Sequence, residues 1–120
     1  MLSLTQMCQL TGVSRRTLQG YNTMGLLKHR GTTPGGYWLY DESDMDRLQI
    51  IQLLRRFSFT RKDILSILPE QDLPLEDVLA GLRASLLERR EQLDLLLNLL
   101  DPVRFQQIAV LPVSDAGASS

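Results

Sequence analysis

Apolar positions recur at helical spacing along most of this chain. In "SLTQMCQLTGV", Leu4, Met7, Cys8 and Leu10 form a stripe at 3-4 spacing, with Ser3 or Thr5 as the cap. Thr11-Gly12-Val13 follows as a tight turn, where glycine supplies a positive φ without steric cost. Ser14 caps a second helix in "VSRRTLQGYNTMGLL". Its Leu18 points back to the first helix, leaving Arg15, Arg16 and Gln19 to face outward. Two short helices joined by a glycine turn predict a helix-turn-helix.

The pattern then changes. Pro34, Gly35 and Gly36 mark a turn, and Tyr37, Trp38, Leu39 and Tyr40 have strand propensity. A short β-hairpin is predicted, a wing with arms near 27–31 and 36–40. From about Ser43 helical spacing returns, with Met45, Leu48, Ile51, Leu53 and Leu54 mostly facing a core. "FSFT" interrupts it, Thr60 caps a fourth helix in "RKDILSIL", Pro69 ends that helix, and "PEQDLP" connects onward.

Pro74 opens a long helix, with Glu76 and Asp77 suited to its positive N-terminal end. Along it Leu75, Leu79, Leu82, Leu86, Leu93, Leu96 and Leu100 recur in a heptad pattern interrupted once, at Arg89. Nothing else in the chain is long enough to cover such a seam, so a second copy is the predicted partner. Pro102 is expected to terminate the helix. "VRFQQIAVLPV" has strand-like composition, and "SDAGASS" reads as disordered. The expected organisation is a head over 1–69, a dimerisation helix over 70–101 and a short, partly disordered tail over 102–120.

Charge changes this picture more than composition does. The net charge of −1 names no partner, but its distribution is uneven. Residues 1–62 carry nine basic and four acidic side chains; residues 63–120 carry four and ten. The first forty residues hold four cations and no carboxylate. A basic front suits contact with a polyanion. One cysteine leaves no internal disulfide, and Cys8 on its apolar stripe is best read as a small buried hydrophobe. A single histidine, His29, leaves little for a metal site and is read as exposed, with phosphate contact as the alternative. No Ser/His/Asp set, phosphate loop or acid pair points to catalysis, so no enzyme, catalytic residue or cofactor is expected. With no leader and no bilayer-length apolar run, the expected setting is the cytoplasm, away from membranes.

Three stretches in order carry a family likeness: "LTGVSRRTLQGYNTMGLL", "GGYWLYDESDMDRLQIIQLLRRFSFTRKDILSIL" and the leucine helix. The chain resembles the MerR-type winged-helix transcriptional regulators over residues 4 to about 100. That resemblance implies a mainly α fold: a winged helix-turn-helix head with a small β-hairpin wing, then a long antiparallel coiled-coil dimerisation helix. It implies a homodimer that binds a near-palindromic promoter element and distorts it under RNA polymerase. Arg16 and Thr17 match the family's Arg-Thr, Tyr21 its second tyrosine, and Tyr37 and Tyr40 the wing tyrosines. Gln19, Gly20 and Trp38 depart from it, removing two cations and one aromatic. With about twenty residues after the long helix, a separate ligand-binding domain is not expected.

The expected DNA-binding set is Arg15, Arg16, Thr17 and Gln19 at the major groove. Tyr21, Lys28, Arg30, Tyr37, Trp38 and Tyr40 are expected on or near the backbone. Arg55 and Arg56 either extend the phosphate surface, the favoured reading, or form a solvated helix face. The seam leucines and Arg89 form the expected dimer interface, with Arg89 either near its midpoint and within reach of the partner copy's Glu88 or Glu91, or at its edge in a shifted register. Gly20 has two readings: close approach to DNA or the wing, or a loosened helix end. Two other functions stay open. One is a MerR-like protein-interaction modulator with weakened or lost DNA binding, favoured by the absent cations and the acidic rear half. The other is a ligand sensor with an apolar pocket between head and long helix.

Overall fold

Ser3 begins the head by closing a helix. Its hydroxyl accepts the Gln6 N–H at 3.1 Å, and the Gln6 side chain accepts the Ser3 N–H at 2.8 Å. This reciprocal pair satisfies two of the N–H groups a helix start leaves open. Helix α1 runs Leu4–Thr11 and ends at Gly12, whose φ of 77° is the left-handed turn its sequence requires. Ser14 caps helix α2, Arg15–Met24. In this computed structural model, which describes residues 1–109, the remaining helices are α3 (Glu42–Arg56), α4 (Arg61–Ile67), α5 (Leu75–Leu99) and α6 (Pro102–Ala109).

The wing is a small antiparallel sheet. Strand β2 (Gly31–Thr32) pairs with β3 (Trp38–Tyr40), matching Thr32 to Trp38. Thr33 holds the intervening turn: its N–H donates to the Tyr37 carbonyl and its hydroxyl accepts the Tyr37 N–H. A third strand, β1 (Leu2–Ser3), adds to the other side of β3, pairing Leu2 with Tyr40. The sequence reading had only a helix start there. Two residues carry no period-2 pattern, and the strand exists because Leu39 and Tyr40 offer it a free edge.

Residues 1–83 make one compact unit and the described residues from Ala84 onward another. The core of the first unit joins Met7 of α1, Leu18 of α2, Leu26 and Leu27, Tyr40, the Leu48–Ile51–Leu54 face of α3, and Ile64 of α4. Val78 and Leu82 of α5 are also buried in it. Leu53, expected among the core residues, is 52% exposed. At 100° per residue it lies about 160° around the helix from Ile51, on the opposite face.

Among the described residues two charged side chains are buried, and both are hydrogen-bonded. Arg47 Nε donates to the Leu26 carbonyl and its Nη1 to the Pro69 carbonyl, each at 2.8 Å. Burial lowers its pKa from the usual arginine value, and the nearby Asp44 charge opposes that shift. Asp44 sits at the first turn of α3, where its Oδ2 accepts the Asp41 N–H at 2.9 Å.

The second unit contains the rest of α5 and α6. Helix α5 has 25 residues, about 37 Å at 1.5 Å per residue. Its Leu93, Leu95, Leu96 and Leu97 are exposed, as are Leu100, Val103 and Phe105. The strand-like reading of the tail is corrected for its described part: residues 102–109 are helical. Asp101 starts that helix by taking the Phe105 N–H on its carbonyl and the Arg104 N–H on its carboxylate. Pro102 therefore opens a helix at its first position rather than simply ending one. The remainder of the tail, with the stretch read as disordered, lies outside the described residues.

Candidate nucleic-acid interface

The first turn of α2 presents its polar side chains outward because Leu18 and Tyr21 take the inward positions. Arg15, Arg16 and Gln19 are exposed, and Thr17 is half-buried against its cap, accepting the Ser14 hydroxyl at 2.9 Å. Arg15 is also steadied: its Nη2 donates to Thr5 Oγ1 at 2.6 Å, tying it across to α1.

Between this turn and the wing lies an open cleft of about 560 Å³. Arg15 and Gln19 line one side; Tyr37 and Trp38 line the other. Tyr37, at the end of the wing turn, is 69% exposed. Trp38 is half-buried because the His29 ring stacks on it, with ring centres 4.3 Å apart and planes within 2°. His29 is itself anchored, its backbone N–H and ring Nδ1 both meeting Asn22 Oδ1 at 3.0 and 2.8 Å. The expectation that His29 is simply exposed is thus corrected: the stack and the Asn22 contact hold it half-buried, linking α2 to the wing.

Other residues expected at DNA lie deeper. Tyr40 is fully buried, and its hydroxyl has no hydrogen-bond partner among the described residues. Burial pushes its pKa up to about 12. Tyr21 is only 4% exposed. Arg30 turns inward and chelates Asp44, donating from Nε at 3.1 Å and from Nη2 at 2.9 Å, while its Nη1 bonds Asp72. The hydrogen bonds to Asp44 raise the Arg30 pKa above the usual arginine value, burial opposes them, and Asp72 adds to the rise. Lys28 keeps an exposed side chain, but its backbone is clasped by Gln71, which accepts its N–H at 2.8 Å and donates to its carbonyl at 2.7 Å. The structure therefore groups Arg15, Gln19, Tyr37 and Trp38 at one cleft, with Arg16 and Lys28 also exposed, while Arg30, Tyr21 and Tyr40 organise the frame. Arg55 and Arg56 are exposed, and Arg55 donates to the Phe59 carbonyl at 3.1 Å.

One residue near this face escaped sequence reasoning. Arg61, the first residue of α4, reaches α2 and places its guanidinium carbon 4.9 Å from the centre of the Tyr21 ring. A side chain at position 20 would begin 3.0 Å from Arg61 Nη1. Gly20 is the room Arg61 occupies. The only signal in the sequence was the pairing of a helix-interior glycine with an arginine forty residues on, which no local pattern connects.

Comparison with known proteins agrees with this architecture. The profile described as MerR HTH family regulatory protein matches residues 2–71. The chain belongs to the MerR family. It is 35% identical over 99 residues to the HTH-type transcriptional regulator SkgA of Caulobacter vibrioides, covering 82% of this chain and 39% of that protein. To the HTH-type transcriptional activator mta of Bacillus subtilis it is 28% identical over 96 residues, covering 80% and 37%. This MerR-family chain thus spans about two-fifths of the length of those curated relatives.

Among solved structures, the N-terminal part of the Bacillus subtilis multidrug transporter activator superposes with a TM-score of 0.56 at 26% identity, over 86% of this chain and 97% of that one. The SkgA structure from Caulobacter crescentus superposes at 0.54 and 31% identity, over 93% and 84%. The family is one of regulators, not enzymes. Among the described residues no three His, Cys, Asp or Glu side chains are placed to hold a metal ion. No helix among them is long and apolar enough to cross a membrane.

Of the seam residues, Leu82 is buried in the first unit, Leu86 and Arg89 are half-buried, and Leu75, Leu79, Leu93, Leu96 and Leu100 are exposed in the single chain.

Proposed function

We propose that this chain is a homodimeric, sequence-specific DNA-binding regulator of transcription, with the first turn of α2 in the major groove. The observation that carries this reading is the cleft between α2 and the wing. Arg15 and Gln19 face Tyr37 and Trp38 across it, and Arg16 stands exposed beside them. Arg15, Arg16 and Gln19 suit base edges, since an arginine fork matches guanine O6 and N7 and a glutamine matches adenine N6 and N7. Thr17 braces the helix start. Tyr37, Trp38 and Lys28 hold the DNA backbone, with Trp38 offering an indole N–H to a phosphate. Tyr21, Arg30 and Tyr40 act on DNA through the positions they give their neighbours.

The head extends over 1–69, the dimerisation helix over 70–101 and the tail beyond it. Two copies join through residues 75–100 as an antiparallel pair, which covers the exposed seam leucines and brings the two Arg89 side chains near its midpoint. That pairing fixes the separation of the two heads and so the half-site spacing of a near-palindromic element. By family likeness the dimer distorts a promoter met by RNA polymerase, in the cytoplasm.

Replacing Arg16 with alanine tests the assignment. The variant is expected to lose its preference for the DNA upstream of its own coding sequence while remaining dimeric in sedimentation. Unchanged affinity and preference would remove Arg16 from the reading surface.

A further inference from the structure

Gly20, Tyr21 and Arg61 form a single device at α2, with Gly20 on the face of Arg16 and Tyr21 turned inward. Position 20 is one helical turn after Arg16, and residues four apart on a helix share a face about 5–6 Å apart. Arg16 therefore projects from one turn of that face. The next turn carries no side chain of its own, and there the Arg61 guanidinium stands, 3.0 Å from where a Cβ of residue 20 would be. Tyr21, buried at 4% exposure, supports it from beneath at 4.9 Å. Arg61 itself is half-exposed. A guanidinium held against a ring keeps its N–H donors for an oxygen acceptor, and its planar fork matches two oxygens of one phosphate.

We infer that Arg61 is a DNA-phosphate ligand, delivered by α4 through the gap at Gly20 so that the cation row begun by Arg16 continues along the recognition helix. This rests on the DNA-binding reading above. The missing side chain at position 20 is then the means by which a cation from another element reaches the DNA face, and Tyr21 is the platform that fixes its angle. Lysine could supply the charge there but not the fork.

The test uses the whole chain and two labelled duplexes, the DNA upstream of its own coding sequence and a random duplex of equal length. Affinities are measured by fluorescence anisotropy across a salt series for wild type, Arg61→Gln and Arg61→Lys, with thermal melts of each. Arg61→Gln is expected to flatten the plot of log affinity against log salt by about 0.9 for each bound subunit. Both duplexes should lose affinity equally, because a phosphate contact carries no base information. Arg61→Lys should restore most of the slope.

A lowered melting temperature with an unchanged slope would make Arg61 a packing residue and overturn the inference. So would a loss confined to the upstream duplex, or a loss of slope that lysine fails to restore. Wild-type protein that binds neither duplex at low salt would overturn the DNA-binding reading and this inference together. Wild-type binding with an indifferent Arg61→Gln would overturn this one alone.

Discussion

Arg30 grips Asp44 with two parallel hydrogen bonds, and Asp44 is 99% removed from solvent while it does so. The pair joins the base of the wing to the first turn of α3. Gln71 closes the arrangement, donating to Asp44 Oδ1 at 3.0 Å while clasping the Lys28 backbone. This knot of side chains ties the base of the wing to α3 and to the connector at Gln71 and Asp72.

Asp44→Asn should therefore be costly. Asparagine cannot accept both Arg30 bonds, and it removes the buried one of the carboxylates around the guanidinium, leaving the exposed Asp72 and the more distant Asp41. Removing one partner of a buried pair costs about 3–5 kcal/mol. With Arg30 a fifth exposed, the lower end is expected. Thermal melting is the check: a fall of more than about 10 °C is predicted for a domain of this size, and a melt unchanged within a degree would contradict the role given to the pair.

Tyr40 predicts a pH dependence with a definite sign. Its folded pKa is pushed up to about 12 by burial, against about 10 in an unfolded chain. A raised folded pKa means the native state holds the proton more tightly. The stability linked to it is complete below pH 10 and is lost as pH rises toward 12. Tyr40→Phe should abolish that alkaline loss. Because the buried hydroxyl has no partner among the described residues, the same change should leave the melting temperature at pH 7 equal or higher. A clear destabilisation at neutral pH would show that the hydroxyl is satisfied.

How much of this was legible beforehand depends on the range over which each feature is decided. Ser14 and Thr60 announced two helix starts, and Ser3 or Thr5 a third that Ser3 caps, because capping is settled within four residues. Pro34-Gly35-Gly36 announced the wing turn for the same reason. Asp101-Pro102 carried an equally local signal, a cap followed by proline at the first helical position, and the strand-like composition after it obscured that signal. Features set by distant partners were not legible. Arg30 looked like a free cation until Asp44 and Asp72 folded onto it, and Tyr40 looked like a surface aromatic until the fold placed it in the core of the first unit. Gly20 made no local sense because its explanation, Arg61, comes from another helix.

The dimer reading makes its own prediction. Leu93 and Leu96 are about half exposed in the single chain. Paired Leu93→Asp and Leu96→Asp substitutions would set charges in the proposed seam, and the protein should sediment as a monomer with an intact head. Two charges buried at such a contact oppose association by several kcal/mol. A variant that keeps the wild-type assembly would place the contact elsewhere.

If the cleft between α2 and the wing receives DNA in a sequence-specific way, binding must show both sequence preference and a steep salt dependence. Purified protein is titrated against the DNA upstream of its own coding sequence and against random duplex, by fluorescence anisotropy over a salt series, with a selection from genomic fragments run in parallel to supply any distant operator. The predicted result is tight binding to the upstream or selected sequence, preferred over random duplex and weakening steeply as salt rises. Binding that is negligible even at low salt, with no fragment selected, would contradict the account.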